Sequence, residues 1–284
     1  MGGGAQLGIQ IRPANTTWPD LREVALLAEE VGFDSIYTWD HLLPVADIDP
    51  ALPNFEGWQL LAAWGALTTR VRVGMLVTGN TLRHPGLVAK MAVTLDHVTS
   101  GRAILGLGAG QPAPEQAQYG LEFPPVGERI ARLDEALAVI RTLLAEERTS
   151  FEGGFYRLDE AIAEPKPVQE RLPLLVGSTG PKMLRVAARH SDIWHGYAPD
   201  AEAFASLYRE FLEACELEGR DPGEVVRAAG GPIVTASATV IAERLRAGVQ
   251  LFVVTTQAPF DADTIRRVAT EEWPRALELA GLEP

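Results

Sequence analysis

The sequence predicts a (β/α)8 barrel, or TIM barrel, in which one domain spans residues 1–284 and loops are inserted at the C-terminal face. Eight short apolar segments alternate with eight segments whose apolar residues recur at helical spacing. No linker, low-complexity tract or short repeat interrupts the alternation, and about 250 residues are typical of such a barrel. An open sheet stays an alternative if the weakest unit, the seventh, forms no strand at Val225–Ala229.

The clearest unit lies between residues 71 and 110 and contains a strand, a helix and a second strand. Val71–Val77 is short, apolar and rich in β-branched residues, which is typical of a buried strand. A polar loop follows, and Pro85 suits the first helical turn because its missing N–H would have no partner there. Ala103–Gly106 is the second strand. The helix has one apolar stripe, formed by Leu87, Val88, Met91, Leu95 and Val98.

The same two patterns predict the other elements, with a short apolar segment for each strand and an apolar stripe for each helix. The other strands are predicted at Leu7–Ile11, Phe33–Trp39, Leu174–Val176, Asp192–His195 and Val249–Thr255. The other helices are predicted at Trp18–Val31, Gly57–Thr68, Glu128–Ala145, Pro181–His190, Ala201–Glu218, Ala236–Ala247 and Asp261–Ala280. The insertions are two long proline-containing loops and a hairpin, at Asp40–Glu56, Gln111–Gly127 and Thr149–Leu158.

The composition limits the kind of partner that we expect. A formal net charge of −13 argues against nucleic acid, since neutralising phosphates requires surplus Lys and Arg. No apolar run approaches the roughly 20 residues of a membrane helix, and the N-terminus lacks the basic and then apolar pattern of a secretory signal. The one cysteine, Cys215, excludes a disulfide within this sequence and fits a packed thiol. We therefore expect a cytoplasmic protein that acts on a small molecule and binds no membrane.

Functional residues of such a barrel lie at the C-terminal ends of the strands. Asp40 and His41 follow the second strand, and histidine exchanges a proton near neutral pH. The alternative is a loop histidine that only pairs with Asp40. Trp194 and His195 end the sixth strand, where His195 either faces a substrate or packs. The five histidines show no paired ligand spacing, so no metal site is predicted and a metal hydrolase is disfavoured.

Two glycine-rich segments follow the fourth and fifth strands. In Gly106–Gly110, glycine lets the backbone approach a flat ring or an anion, but the spacing is not that of a dinucleotide fingerprint, so a Rossmann fold is rejected. Gly177–Lys182 turns into a helix and presents free N–H groups, with Lys182 and Arg185 adding charge. A simple helix start is the alternative. An acidic protein needs such a local positive feature to hold a phosphate.

Other polar residues have two interpretations each. Asn80 is a turn residue or a site residue, His84 precedes a helix, and Arg83 is placed where it could meet a phosphate. Glu56 begins a helix, where a carboxylate suits the helix dipole, so a capping role is the alternative to a site role.

Six segments carry a resemblance to a known family. They are YTWDH at Tyr37–His41, FEGWQLLAAWGALTTRVRVG at Phe55–Gly74, TGNTLRHP…AKMAVTLDHVTSGRAILGLGAG within Thr78–Gly110, GERIARLDEALAVIRTLL at Gly127–Leu144, EPKPVQ at Glu164–Gln169 and VGSTGPKMLRVAARHSDIW at Val176–Trp194. In this order, and over most of the chain, the sequence resembles the luciferase-like monooxygenase superfamily. It resembles more closely the branch that uses the deazaflavin coenzyme F420.

The resemblance implies an oxidoreductase that transfers a hydride between F420 and an organic substrate. His41 would donate or accept the accompanying proton, and Asp40 would orient it. The Leu76–Val77 peptide would be cis, in a bulge that backs the cofactor ring, and the loop Gly177–Lys182 would hold the cofactor's phosphate. The residues implied to contact the cofactor are Leu76, Val77, Thr78, Asn80, Gly108, Ala109, Gly110, Gly177, Ser178, Thr179, Gly180 and Lys182.

Three positions depart from relatives in that branch. Its sugar-phosphate dehydrogenases carry Trp where Val45 lies here and Glu where Gln111 lies, and many close relatives carry Glu at the position of Ala113. These departures speak against a sugar phosphate and leave the substrate open. Two alternatives remain, an FMN-dependent monooxygenase on the same barrel and a non-catalytic flavin- or deazaflavin-binding protein. The resemblance also implies a homodimer, for which Trp58 and Trp64 are packing or interface residues.

Overall fold

Eight parallel strands close into a barrel in the computed structural model, which describes residues 4–45, 48–112 and 114–283. In chain order the strands are β1 (Gln6–Ile11), β2 (Ser35–Thr38), β3 (Arg72–Met75), β4 (Thr78–Gly79), β5 (Ala103–Gly108), β6 (Thr149–Glu152), β7 (Arg157–Ala161), β8 (Leu174–Ser178), β9 (Ile193–Gly196), β10 (Val226–Pro232) and β11 (Leu251–Thr256). The strand β4 continues β3, and β6 with β7 forms an antiparallel hairpin. Because β1 pairs with β11 and β3 pairs with β5, the ring is closed. The predicted (β/α)8 fold is confirmed, and the seventh unit does form its strand, β10.

Helices connect the barrel strands. The α-helices of the described residues are α1 (Trp18–Glu30), α2 (Gly57–Leu67), α3 (Pro85–Val98), α4 (Pro114–Gln118), α5 (Val126–Ala145), α6 (Pro181–His190), α7 (Ala201–Glu218), α8 (Ala238–Arg246), α9 (Ala262–Arg267) and α10 (Trp273–Ala280). Parallel neighbours require such crossover connections, so every strand ends at the same end of the barrel. That end carries the long loops after β2 and β5.

The apolar residues of the strands form two cores. Side chains alternate between the two faces of a strand, as Phe252 and Val253 do in β11, where they belong to different cores. The outer core, between the strands and the helices, is the larger one. The inner core fills the barrel and consists of Tyr37, Leu76, Ile104, Leu175, Ile193, Ala228, Leu251 and Val253.

The third barrel strand is interrupted at Leu76 and Val77, and the peptide between them is cis, as the resemblance implied. The neighbouring strand β5 passes very close to this interruption. A Cβ atom at Gly106 would lie 1.9 Å from the carbonyl oxygen of Met75, so only glycine fits there. The amide of Gln10 donates to the carbonyl oxygen of Leu76 at 2.6 Å and holds the interruption from the side of β1.

Several predicted boundaries are corrected. The predicted strand Val71–Val77 is split into β3 and β4 by the interruption, and the fourth barrel strand continues past Gly106 to Gly108. The second long loop contains the short helix α4, and α5 begins at Val126 rather than at Glu128. The predicted last helix is divided by a π-helical turn at Val268–Glu272. Pro274 lies in the first turn of α10, where its missing N–H does no harm. In the middle of one continuous helix the same proline would remove a hydrogen bond.

Three side chains singled out in the sequence are core residues. Trp58 and Trp64 are 5% and 0% exposed, so within a single chain they pack rather than offer an interface. Cys215 is also buried, and burial raises the pKa of its thiol to about 11. In the described ranges, no helix combines the length and apolarity needed to cross a bilayer.

Candidate active site

Two adjoining cavities lie where the barrel strands end. Cavity A has a volume of about 580 Å³ and contains His41. Cavity B has a volume of about 730 Å³ and contains His195. The walls of both cavities include Gln10, Arg12, Leu76 and Tyr197.

His41 is held by a carboxylate from the other long loop. Its Nδ1 lies 2.9 Å from Oε1 of Glu115, whose side chain is 2% exposed. The second oxygen of Glu115 accepts the backbone N–H groups of Leu42 and Leu43 at 2.6 and 3.3 Å. Burial opposes ionisation of Glu115, but the His41 ring and these two N–H groups prevail and lower its pKa. A charged carboxylate therefore fixes the ring and the loop that carries it.

Asp40 does not orient His41, and this expectation is corrected. Asp40 lines cavity A beside His41, and the charge of His41 acts on its carboxylate, but the hydrogen bond of that carboxylate is made to another residue. Oδ2 of Asp40 accepts from Nη1 of Arg83 at 2.6 Å, and Nη2 of Arg83 lies 2.9 Å from Oε1 of Glu56. Burial raises the pKa of Asp40 to about 6 in spite of Arg83.

Arg83 therefore pairs with two carboxylates and does not face a phosphate. Glu56 also accepts the N–H of Gln59 at 2.7 Å, so the helix-capping role considered for it is confirmed. In the Asp40–Arg83–Glu56 group, Asp40 lines cavity A, and the two other side chains support it from outside the lining.

Not every residue after β3 lines cavity A. Leu76, Val77, Gly79, Thr81 and Leu82 line it, whereas Thr78 and Asn80 do not. Thr78 is fully buried, and the amide of Asn80 donates to the hydroxyl of Tyr156 at 3.2 Å beside a separate cavity of about 250 Å³. The structure thus places three predicted cofactor contacts outside cavity A, namely Thr78, Asn80 and Lys182. The predicted residues that do line it are Leu76, Val77, Gly108, Ala109, Gly110, Gly177, Ser178, Thr179 and Gly180.

The loop between β8 and α6 presents backbone rather than side-chain charge to cavity A. Gly180 precedes α6 without a side-chain cap, and Pro181 has no N–H, so the N–H groups of Lys182 and Met183 are the ones free to bind an anion. The hydroxyl of Ser178 accepts from the indole N–H of Trp194 at 3.0 Å. Lys182 is exposed outside the lining, and Arg185 pairs with Glu218 at 2.5 Å. The sequence analysis expected both cations to add positive charge at cavity A, and neither does.

Arg129 supplies a positive charge that the sequence analysis did not predict. This residue of α5 is 8% exposed and lies in the wall of cavity A. Its guanidinium donates to the carbonyl oxygens of Ala109 and Pro124 at 3.2 and 2.7 Å and stacks over Phe123 at 4.0 Å. Among the described residues no carboxylate pairs with it. A signal was available, since Arg129 precedes Leu133 by four residues and so falls on the apolar side of the helix.

Cavity B is lined by an uncharged histidine and a second arginine. His195 is 5% exposed, and burial lowers its pKa to about 4, so the ring is neutral at pH 7. Its Nδ1 is buried without a hydrogen-bond partner in the described structure. It contacts the ring of Tyr197, with centroids 4.5 Å apart. The position of His195 therefore favours the interpretation in which it faces a ligand over the one in which it only packs.

Two of the three departing positions lie in cavity A. Val45 is part of its wall, and the amide of Gln111 lies 3.2 Å from Nε2 of His41. Ala113 lies outside the described residues. Within the described ranges, no three His, Cys, Asp or Glu side chains are grouped as metal ligands.

Comparisons with known proteins agree with this architecture. A sequence model of the luciferase-like monooxygenase family matches residues 4–278. A Microbacterium testaceum (strain StLB037) protein named F420-dependent glucose-6-phosphate dehydrogenase is 38% identical over 194 residues. The match covers 68% of this chain and 56% of that protein, so the chain spans little more than half the length of this relative.

Two solved structures share the fold at low sequence identity. An F420-dependent secondary alcohol dehydrogenase in complex with an F420-acetone adduct gives a TM-score of 0.84 at 22% identity, over 96% of this chain and 99% of that one. A riboflavin lyase with modified FMN and riboflavin gives 0.82 at 14% identity, over 99% and 93%. Because the family model covers nearly the whole sequence, the chain belongs to the luciferase-like monooxygenase family.

Proposed function

We propose that this protein is an F420-dependent oxidoreductase in which His41 exchanges the proton that accompanies hydride transfer to or from an organic substrate. The observation that carries the proposal is the clamped histidine, which faces cavity A with one nitrogen held by Glu115. The 38% identity to a protein named as F420-dependent supports the choice of cofactor. The name of that relative does not fix the substrate, since only 56% of its length is matched.

The residues of cavity A fit a ring that carries an anionic tail. Leu76 and Val77 provide an apolar wall. Gly108 presents its backbone to the cavity, and a Cβ atom at this position would lie only 2.9 Å from Val77. The free N–H groups after Gly180 and the unpaired guanidinium of Arg129 would hold a phosphate. When bound, F420 supplies two-electron hydride chemistry, because it carries carbon where flavin has its central nitrogen.

The hydrogen bonds of His41 assign its two nitrogens different tasks. A charged carboxylate only accepts, so Nδ1 carries a hydrogen toward Glu115. The other nitrogen, Nε2, is left to take up or release a proton, and the amide of Gln111 lies 3.2 Å from it. Glu115 would thereby keep the ring in one tautomer and one orientation.

Two further expectations are retained as part of this proposal. The protein would act as a homodimer and in the cytoplasm, although Trp58 and Trp64 are not available as interface residues. The interface would then use surface outside this buried pair.

Replacing His41 by Ala removes the proton-exchanging ring. We expect turnover of F420, with the best substrate from a screen of alcohols and organic acids, to fall by about 10²–10⁴-fold. The dissociation constant of F420 should stay within a factor of about three. Absorbance kinetics and fluorescence titration measure the two quantities. The exposed residue His97 gives the matched control, His97→Ala. Equal turnover in His41→Ala and the natural protein would refute the proposal and favour a non-catalytic binding protein.

Replacing Glu115 by Gln keeps the size of the side chain and removes its charge. Since a hydrogen bond to a charged group contributes about 1.5–3 kcal/mol, we expect kcat to fall by about 10–100-fold with little change in F420 affinity. Steady-state kinetics and the same titration test this. Glu122→Gln, at an exposed carboxylate that pairs with Arg132, is the control. An unchanged kcat would show that the clamp does not serve catalysis.

The raised pKa of Asp40 predicts how stability depends on pH. Between about pH 4 and 6 the folded state keeps this proton while the unfolded state has lost it, so the contribution to stability declines as pH rises through this window. Asp40→Asn mimics the protonated form. We expect it to match the natural protein near pH 4 and to exceed its free energy of unfolding by on the order of 2 kcal/mol at pH 7. Urea unfolding at both pH values decides this. Lower stability of Asp40→Asn at pH 7 would mean that pairing with Arg83 outweighs burial.

A further inference from the structure

Arg12 is a cation without a counter-charge in the part of the chain that the structure describes. It follows β1 and lies in the walls of both cavities. Its Nη1 donates to the side-chain oxygen of Gln257 at 2.9 Å, and its guanidinium carbon lies 5.5 Å from the centroid of the Trp39 ring. Its Nε is buried without a partner and is not open to a ligand. The terminal nitrogens of the guanidinium are therefore the groups that a ligand in the cavities would meet, and Gln257 and Trp39 hold them in place.

The rest of the wall of cavity B is mainly apolar. Ile233, Val234 and Val253 contribute aliphatic surface, and the neutral ring of His195 adds a hydrogen-bonding group without charge. In the described lining, the charged side chains are Arg12 and Asp261. This combination suits a molecule with an apolar body and one anionic end.

The N-termini of the two helices beside cavity B, α7 and α9, are unsuited to binding a phosphate. The N-terminus of α7 follows Ala198 and Pro199 of the wall and is capped by Asp200, which accepts the N–H of Ala203 at 2.8 Å. Asp261 caps α9 by accepting the N–H groups of residues 263 and 264 at 3.1 and 3.2 Å. These carboxylates occupy the N–H groups that would otherwise bind an anion, and they repel a dianion. A net charge of −13 adds to this repulsion.

We propose that cavity B takes an organic monocarboxylate with an apolar body, its carboxylate bound by Arg12 and its body against Ile233, Val234 and Val253. A guanidinium binds one carboxylate through two parallel N–H groups, so a single free arginine suffices for this ligand. A phosphorylated sugar carries two negative charges at neutral pH, which a single arginine beside Asp261 does not balance. That this ligand is a substrate rests on the proposed function, in which cavity A holds the cofactor.

The test compares a carboxylate with the uncharged amide of the same molecule and with a sugar phosphate. Calorimetric titrations of the full-length protein, with and without F420, would use 4-phenylbutyrate, its uncharged amide and glucose 6-phosphate. We expect the carboxylate to bind at least about tenfold more tightly than the amide and more tightly than the sugar phosphate. Arg12→Gln should abolish the preference and Arg12→Lys should retain part of it. Arg132→Gln, at an arginine outside cavity B, should leave the preference unchanged. Thermal melts verify that each variant is folded.

The outcomes separate this inference from the proposed function. Tighter binding of glucose 6-phosphate, or a carboxylate preference that survives in Arg12→Gln, would overturn the inference. Loss of F420 affinity in Arg12→Gln would assign this arginine to the cofactor and would overturn it as well. Failure of the natural protein to bind F420, with the carboxylate preference intact, would overturn the proposed function and leave the carboxylate site supported.

Discussion

The arrangement of the barrel mouth depends on one buried carboxylate. Glu115 belongs to the loop after β5, yet its oxygens bind the ring of His41 and the backbone N–H groups of Leu42 and Leu43, which follow β2. It thus joins two loops that are separated along the sheet by the third barrel strand. Without it, two partly buried N–H groups and a ring nitrogen would lose their acceptor. The position of the proton-exchanging group therefore follows from this contact.

The second constraint is charge. An acidic chain that binds anionic molecules must leave selected cations without carboxylate partners at its cavities. Arg83 is neutralised by Asp40 and Glu56, and Arg185 by Glu218. Arg129 in cavity A and Arg12 at the junction of both cavities are not neutralised in this way within the described structure. We infer that the first serves a cofactor tail and the second a smaller anion.

Periodicity predicts the fold because most barrel strands, unlike β10, are largely buried, and the helices bury one face. The interruption at Leu76–Val77 followed from the family resemblance and was confirmed, but no residue pattern marks it. Thr78 and Asn80 follow this interruption and belong to the predicted cofactor contacts, yet neither lines cavity A.

Tertiary pairing is the part that the sequence could not supply. Asp40 is adjacent to His41 in the chain and was the natural partner to expect, whereas Glu115 is 74 residues away and reaches it only because the barrel brings the loops together. Arg129 was detectable in principle, since a charged residue on the apolar side of a helix requires a reason. Arg12 follows a strand like many other polar residues, and its lack of a counter-charge is visible only in three dimensions.

The measurement that tests the central claim most directly is a paired fluorescence titration of the purified protein with F420 and with FMN. The fold accommodates either cofactor, as the structures of the alcohol dehydrogenase and the riboflavin lyase illustrate. Our account predicts that F420 binds at least about tenfold more tightly than FMN and that Arg129→Gln weakens its binding. Tight binding of FMN together with weak binding of F420 would contradict the account and would place the chemistry of His41 in a flavin enzyme.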